Sequence, residues 1–454
     1  MILKAKLYNN VYEFKDVKDV LAKASAFKHG DHMLGIAATS ELERTAAKEV
    51  LANLTIGDLR NNPCVPYEED EVTRVNQDDV NERIYEKFKN MTIGDLREYI
   101  LKRSTTQAEI EILRRGITAE VAAGVAKLMT NLELMYAARK IRVESHCNTT
   151  LGKAGIMGTR VQPNHPADDT EGIKAIVLEG LSYGCGDVCL GINPAADTIE
   201  STARNLAMLN EVKEKLQIPT QTVMLSHITN QMECLKRGIP MDLIFESIGG
   251  TQKCNDTFGV SKKILDEAVE MLRVHGTGAG PNVLYFESGQ GPETANGTHC
   301  NIDQATLEAR TLAFGAHFKP YCMNTIMAFI GPEVEYGPRE VTRAGLENHF
   351  AGKLQGVPCG CDCAYVTHNE GDFNETDIMN TMGTLAGANY WVAVPGASEC
   401  MVAAIELSYH DVNTYREILG VRPIKEFEDW CKKWGIFDDN GFLTDAAGDA
   451  SIFL

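Results

Sequence analysis

Residues 283–291 read Val-Leu-Tyr-Phe-Glu-Ser-Gly-Gln-Gly. Four apolar or aromatic residues come first, the carboxylate of Glu287 follows, and glycines close the stretch. A short apolar run bounded by turn residues predicts a buried strand. Glycine beyond its end lets the chain turn and lets a ligand come close. Seven further runs of this kind follow one another through residues 155–394. They cover 155–160, the weakest, then 187–193, 222–227, 242–247, 322–329, 358–362 and 390–394.

Amphipathic segments such as 198–216 and 260–274 separate the runs. Strand alternating with helix predicts parallel strands. Eight repeats predict a closed (β/α)8 barrel. A doubly wound open sheet competes, but no glycine-rich fingerprint follows the first run, which disfavours its dinucleotide-binding version. Barrel enzymes build their sites at the C-terminal ends of the strands. Arg160, Gln162, Asn193, Ser247, Glu287 and Asp362 fall at or just beyond such ends. One polar residue there says little, because polar residues mark strand ends everywhere. A set with two acids, an arginine and two amides points to a site.

The first third reads differently. It is polar and helix-patterned, so the expected division is a mostly helical extension over residues 1–145 and a barrel with C-terminal helices over 146–454. A hexapeptide, Thr-Ile-Gly-Asp-Leu-Arg, occurs at 55–60 and again at 92–97. Two copies are too few for a solenoid, so Asp58 and Asp95 are expected near two similar helix starts. The acidic residues 68–71 are expected on a solvated loop or helix face. One long helix, capped by Thr118, is expected to run to about Lys140.

Composition narrows the function. The chain has 454 residues, 44% hydrophobic and 24% charged, with a formal net charge of -19. That charge argues against nonspecific nucleic-acid binding and against an anionic membrane surface, and leaves a cationic substrate open. No apolar run reaches the roughly 18 residues of a membrane span, and no secretory signal is evident. Thirteen scattered cysteines fit reduced thiols of the cytoplasm better than a disulfide framework.

Several motifs resist a sharp reading. Cys359-Gly-Cys-Asp-Cys363 offers three thiols, but on a strand they share one face and Asp362 takes the other. With Asp362 facing the lumen, the cysteines become small apolar fillers, and no metal site is expected. Gly276-Thr-Gly-Ala-Gly280 precedes a strand, whereas phosphate loops follow one. His227 suits a base or a satisfied rim residue equally. His410 and Asp411 are expected to be structural or on the surface.

Longer stretches carry a family resemblance. Residues 10–24 (NVYEFKDVKDVLAKA), RNNP, QDDVNE, TRVQPN, IPTQ, LYFESGQG, FIGPE, RAGLENHFAGKL and GCDC resemble the large subunits of ethanolamine ammonia-lyases across nearly the whole chain. The resemblance implies an adenosylcobalamin-dependent carbon-nitrogen lyase that turns ethanolamine into acetaldehyde and ammonia by a radical route. It implies a small-subunit partner, a higher hetero-oligomer, cobalamin held between the two kinds of subunit, and, in several bacteria, residence in a protein-shelled microcompartment of the cytoplasm. It assigns substrate contacts to Arg160, Gln162, Asn193, Glu287 and Asp362, with Phe258 and Phe329 as apolar walls. Arg160, Glu287 and Asp362 carry the catalytic roles. Pro194 and Met401 match cobalamin-side positions, Ser247 the adenosyl side, and Glu246 a further cofactor-binding position. Glu246 and Ala295 stand where uncharged polar residues are expected, and Val392 where methionine is. A metal-dependent aldolase or lyase on the same fold, and a non-catalytic scaffold subunit, are the competing classes; the set of two acids around one arginine disfavours the scaffold.

Overall fold

The computed structural model describes residues 2–328, 331 and 333–454. Eight parallel strands follow the eight apolar runs. They are β1 (Gly158–Val161), β2 (Cys189–Ile192), β3 (Thr222–Met224), β4 (Ile244–Ser247), β5 (Leu284–Gly289), β6 (Cys322–Met327), β7 (Cys359–Cys363) and β8 (Tyr390–Val394). Their order is β3-β2-β1-β8-β7-β6-β5-β4, so each lies beside its neighbours in sequence. The Leu243 amide, just ahead of β4, donates to the Thr222 carbonyl of β3 at 3.3 Å and joins the two ends.

A helix follows each strand: α1 (Thr170–Ser182), α2 (Ile199–Leu216), α3 (Ile228–Lys236), α4 (Lys262–His275), α5 (Gln304–His317), α6 (Pro338–Gln355), α7 (Phe373–Ala386) and α8 (Tyr409–Leu419). The expected (β/α)8 barrel is therefore present, with helices before it in the chain. The loops deliver N-caps where the helices need them. Asp169, Thr198, Ser261 and Asp303 each accept a hydrogen bond from the amide of the third helical residue.

Alternation along the strands sorts the side chains. Cys189, Val223, Phe245, Tyr285, Cys322, Tyr390 and Val392 form one buried cluster in the lumen. Leu190, Met224, Ile244, Leu284, Phe286, Met323 and Trp391 belong to a separate cluster with the helices. Fully burying such a side chain contributes roughly 1.5–3 kcal/mol. Cys359, Cys361 and Cys363 join the outer cluster, as the period of two requires. Gly360 faces inward because a Cβ there would lie 2.1 Å from the Tyr390 ring.

A hairpin pairing Ser145–His146 with Thr150–Leu151 stops the N-terminal end of the barrel. Its Cys147 and Leu151 enter the lumen cluster. The Thr149 amide donates to Gln221 at 2.8 Å, and the Thr149 hydroxyl lies 3.0 Å from that of Tyr321.

Buried ion pairs dock the preceding helices on the barrel. Lys28 meets Glu347 of α6 at 2.8 Å, and Lys127 meets Asp303, the α5 cap, at 2.9 Å. Arg310 of α5 holds Asp70 at 2.8 Å and Glu120 at 2.6 Å. This corrects the reading of residues 68–71 as solvated: Glu68 and Glu69 are exposed, but Asp70 is buried against Arg310. The repeated hexapeptide starts two helices, capped by Thr55 and Thr92, with Asp58 and Asp95 in their first turns. The two starts also pair, through Ile56 to Met91 at 3.0 Å and Ile93 to Leu54 at 2.8 Å.

The long helix expected from Thr118 is two helices, Ala119–Lys127 and Asn131–Lys140. Thr130 and Glu133 form a capping box that starts a new helix inside the apolar periodicity. Thr118 holds the N-cap position, but its hydroxyl makes no cap bond.

Candidate active site

Arg160 lies near the end of β1 with no exposed surface. Its guanidinium crosses the lumen. Nη1 donates to the Tyr285 hydroxyl at 2.7 Å and to Glu287 Oε1 at 2.9 Å. Nη2 donates to Asn193 Oδ1 at 2.7 Å. Gly191 makes room, since a Cβ there would stand 2.8 Å from Arg160 Nε. Burial works to lower the Arg160 pKa, but Tyr285 and Glu287 outweigh it and raise it overall, so the cation is locked in.

Glu287 Oε1 also accepts from Asn324 Nδ2 at 3.2 Å, across the register in which Asn324 faces Glu287. Gly289, two residues on, lets β5 pass close to β6, because a Cβ there would lie 2.5 Å from the Ile326 carbonyl oxygen. Asp362 enters the same space from β7, buried, with no partner for Oδ1 among the described residues. Burial pushes its carboxyl up to about 7; the charges of Glu287 and Glu399 add to this, and Arg160 opposes it. Such a group is easily protonated and strongly rewarded by a cation.

Gln162 follows β1, and its Nε2 donates to Glu406 Oε2 at 3.4 Å. That bond turns its amide oxygen away from Glu406. Glu406 is itself held well above the usual carboxylate range by burial, then by Asp362 and Glu399. Asn164 accepts from the Asn193 amide at 2.8 Å and donates to Glu399 at 2.8 Å. Glu399 in turn accepts from the Met401 amide at 2.7 Å. One hydrogen-bonded chain therefore joins the Met401 loop to Asn193, Arg160 and Glu287.

A cleft of about 660 Å³ opens beside Glu287 at the ends of β4, β5 and β6. Leu225, Phe245, Ile248, Phe258 and Ile326 give it apolar walls, and Glu246, Ser247 and His227 edge it. Glu246 accepts from the amides of Ile228 at 2.9 Å and Ser247 at 2.8 Å, and burial raises its carboxyl to about 7. His227 is a satisfied rim residue: it caps α3 and lies 2.8 Å from the Phe258 carbonyl oxygen.

The structure thus brings Arg160, Asn193, Glu287, Asp362 and Gln162 to one mouth, with Glu246, Ser247 and Phe258 on the adjoining cleft. Pro194 and Met401 lie half-buried on loops linked through Asn164 and Glu399, outside the cleft. Val392 packs in the lumen core. Ala295 ends a short helix, Pro292–Ala295. Phe329 lies outside the described residues. Among the described residues no three His, Cys, Asp or Glu side chains are grouped to hold a metal. The eight-run pattern passed over Tyr285, Asn324, Glu399 and Glu406. Tyr285 was within reach, two residues before Glu287 and so on the same face.

Comparison with known proteins agrees with this arrangement. Residues 12–446 match the family model described as Ethanolamine ammonia lyase large subunit (EutB). Over 454 residues, covering all of both chains, the sequence is 45% identical to the ethanolamine ammonia-lyase large subunit of Escherichia coli (strain K12). The same identity and coverage hold for that of Salmonella typhimurium (strain LT2). A match of this length takes in every strand and every residue at the mouth, and the chain belongs to the ethanolamine ammonia-lyase large-subunit family.

Proposed function

We propose that the chain is the catalytic large subunit of an adenosylcobalamin-dependent ethanolamine ammonia-lyase that forms acetaldehyde and ammonia. The observation that carries the reading is a charge imbalance. Arg160 is the one cation grouped with four acidic side chains among the described residues, Glu287, Asp362, Glu399 and Glu406, and burial with their mutual repulsion raises Asp362 and Glu406 toward their neutral forms. A small substrate with an ammonium group supplies the missing positive charge, and its hydroxyl suits the donors of Arg160 and Asn193.

The roles follow from the free atoms. Glu287 Oε2 and Asp362 Oδ1 face the ammonium, with the Gln162 amide oxygen beside them. Arg160, kept charged, steadies the hydroxyl oxygen as electron density shifts onto it. Glu287 takes the hydroxyl proton. Phe258, with Phe329 as its proposed counterpart, keeps water from the reacting atoms.

The apolar cleft beside Glu287, edged by Ser247 and Glu246, suits an adenosyl group, and Pro194 and Met401 the corrin side. Adenosylcobalamin, when bound, supplies a carbon-centred radical that takes hydrogen from the substrate. The remaining steps are positioning by this chain. Residues 1–145 serve as the helical extension and 146–454 as the catalytic barrel. A small subunit completes the cofactor site in a higher hetero-oligomer. The proposed location is the cytoplasm, inside a shell where the host builds one; among the described residues no helix is long and apolar enough to cross a membrane.

The test is acetaldehyde formation from ethanolamine by this chain co-expressed with its small subunit, with and without adenosylcobalamin. Cobalamin-dependent product supports the reading. Turnover without cobalamin, or none from a loaded assembly, overturns it.

A further inference from the structure

A second cavity, of about 540 Å³, lies where the helices Glu41–Asn53 and Asn131–Lys140 meet the start of α6. None of its lining residues lines the cleft beside Glu287. Four cations border it, Arg44, Lys48, Arg339 and Arg343, against two acids, Glu41 and Glu340. Most of these charges are engaged. Arg44 pairs with Glu41 and donates to the Ser25 carbonyl at 2.7 Å. Arg343 pairs with Glu347 at 2.7 Å, and Glu340 accepts from the His29 amide at 2.6 Å.

Lys48 and Arg339 are different. Neither makes a side-chain hydrogen bond or ion pair among the described residues. Burial, and then the charge of Arg343, lowers the Lys48 pKa, and the nearby carboxylates Glu347 and Glu41 only partly offset this. Elsewhere, Lys28, Lys127 and Arg310 are buried against carboxylates. A protein that pairs those cations, and carries a net charge of -19, leaves these two facing open volume. One helix start adds to this: Arg339 lies in the first turn of α6, whose N-cap, Gly337, has no side chain to cap it, whereas the helices that open at Glu41 and Asn131 are capped by Ser40 and Thr130. Helix starts add partial positive charge and free amides.

We propose that this cavity binds a phosphate-class oxyanion, free or carried on a small molecule, with Lys48 and Arg339 as its charge partners. A dianion answers two unpaired cations and a helix start together, and a cavity of this volume admits more than a bare phosphate.

The test is calorimetric titration of the full-length chain, purified as it assembles, in phosphate-free buffer. Inorganic phosphate and glycerol 3-phosphate are the two probes. One saturable site per chain is expected, weakened at least tenfold in both Lys48→Gln and Arg339→Gln. Tighter binding of glycerol 3-phosphate assigns the site to a phosphate ester, and equal or tighter binding of inorganic phosphate assigns it to the free ion. Arg339 is exposed, so its variant retains the fold and ethanolamine turnover without phosphate. Absence of binding by both probes overturns the proposal, as does binding that both variants keep. Dissociation of the Arg339→Gln assembly in phosphate-free buffer also overturns it, because the cavity would then be a contact with an acidic segment of another chain.

Discussion

Arg160 holds one oxygen of Glu287 and leaves the other free. Its Nη1 donates to Oε1 at 2.9 Å, and the donors from Tyr285 and Asn324 reach that same atom. The carboxylate is fixed at one end and available at the other, which is the geometry a positioned acceptor needs.

Arg160→Ala should therefore lower kcat by roughly 10²–10³, the usual effect of removing a preorganised donor, with a smaller rise in KM. It also strands Glu287, and breaking a buried pair costs about 3–5 kcal/mol, so the melting temperature should fall as well. Arg160→Lys keeps the charge and should recover most of the stability while restoring less of kcat, because its single ammonium cannot reach Tyr285, Glu287 and Asn193 together. Steady-state kinetics and thermal melting on both variants separate the two effects. A wild-type kcat in Arg160→Ala would remove Arg160 from the chemistry.

Asp362 should set a pH limb. Its carboxyl titrates near pH 7 in the folded chain, chiefly because it is buried. A carboxyl raised above its ordinary value favours its protonated form, so the stability it contributes is present at low pH and is lost as pH rises through about 7. Ammonium binding requires the ionised form. The value of kcat/KM for ethanolamine should climb by about tenfold per unit below pH 7 and level off above it, and Asp362→Asn should flatten that climb. An unchanged profile in Asp362→Asn would assign the limb to another acid.

Glu406 should act through Gln162. Glu406→Leu removes the acceptor and leaves the Gln162 amide free to turn, and losing one oriented hydrogen bond predicts a KM increase of about 2–10-fold with kcat nearly unchanged. A purely structural role would instead lower the melting temperature and leave KM alone.

Gly360→Ala tests the lumen packing. The added methyl meets the Tyr390 ring, and overpacking of this kind costs about 1–3 kcal/mol in chemical denaturation. Little or no loss would mean that Tyr390 moves more freely than its place in the lumen cluster implies.

Alternation made much of this legible in advance. Residues 359–363 sorted correctly because a strand with an inward Asp362 has no other place for its cysteines. Glu287 stood out as an acid closing an apolar run. Gln162 was marked by its place just past a strand end, whereas Phe258, Pro194 and Met401 came from family resemblance, since no spacing singles them out. Tyr285 hid inside an apolar run, where a tyrosine reads as core. Glu406 lies past the eighth strand, on an irregular return with no period to locate it. Asp70 looked solvated because its partner, Arg310, is far away in the chain, and only folding brings the two together. The split at residues 128–130 was hidden by apolar residues that run on through both helices, the first buried all round and the second only along Leu134, Ala137 and Ala138.

The hairpin stopper at residues 145–151 makes the barrel a vessel with one neck. Whatever enters past Arg160 and Glu287 must leave by the way it came, because Cys147 and Leu151 fill the other end. Anything large seated over that neck therefore acts as a valve in both directions. Such a vessel shelters a reactive species for as long as a cover over that neck stays in place, because there is no second opening through which it can escape.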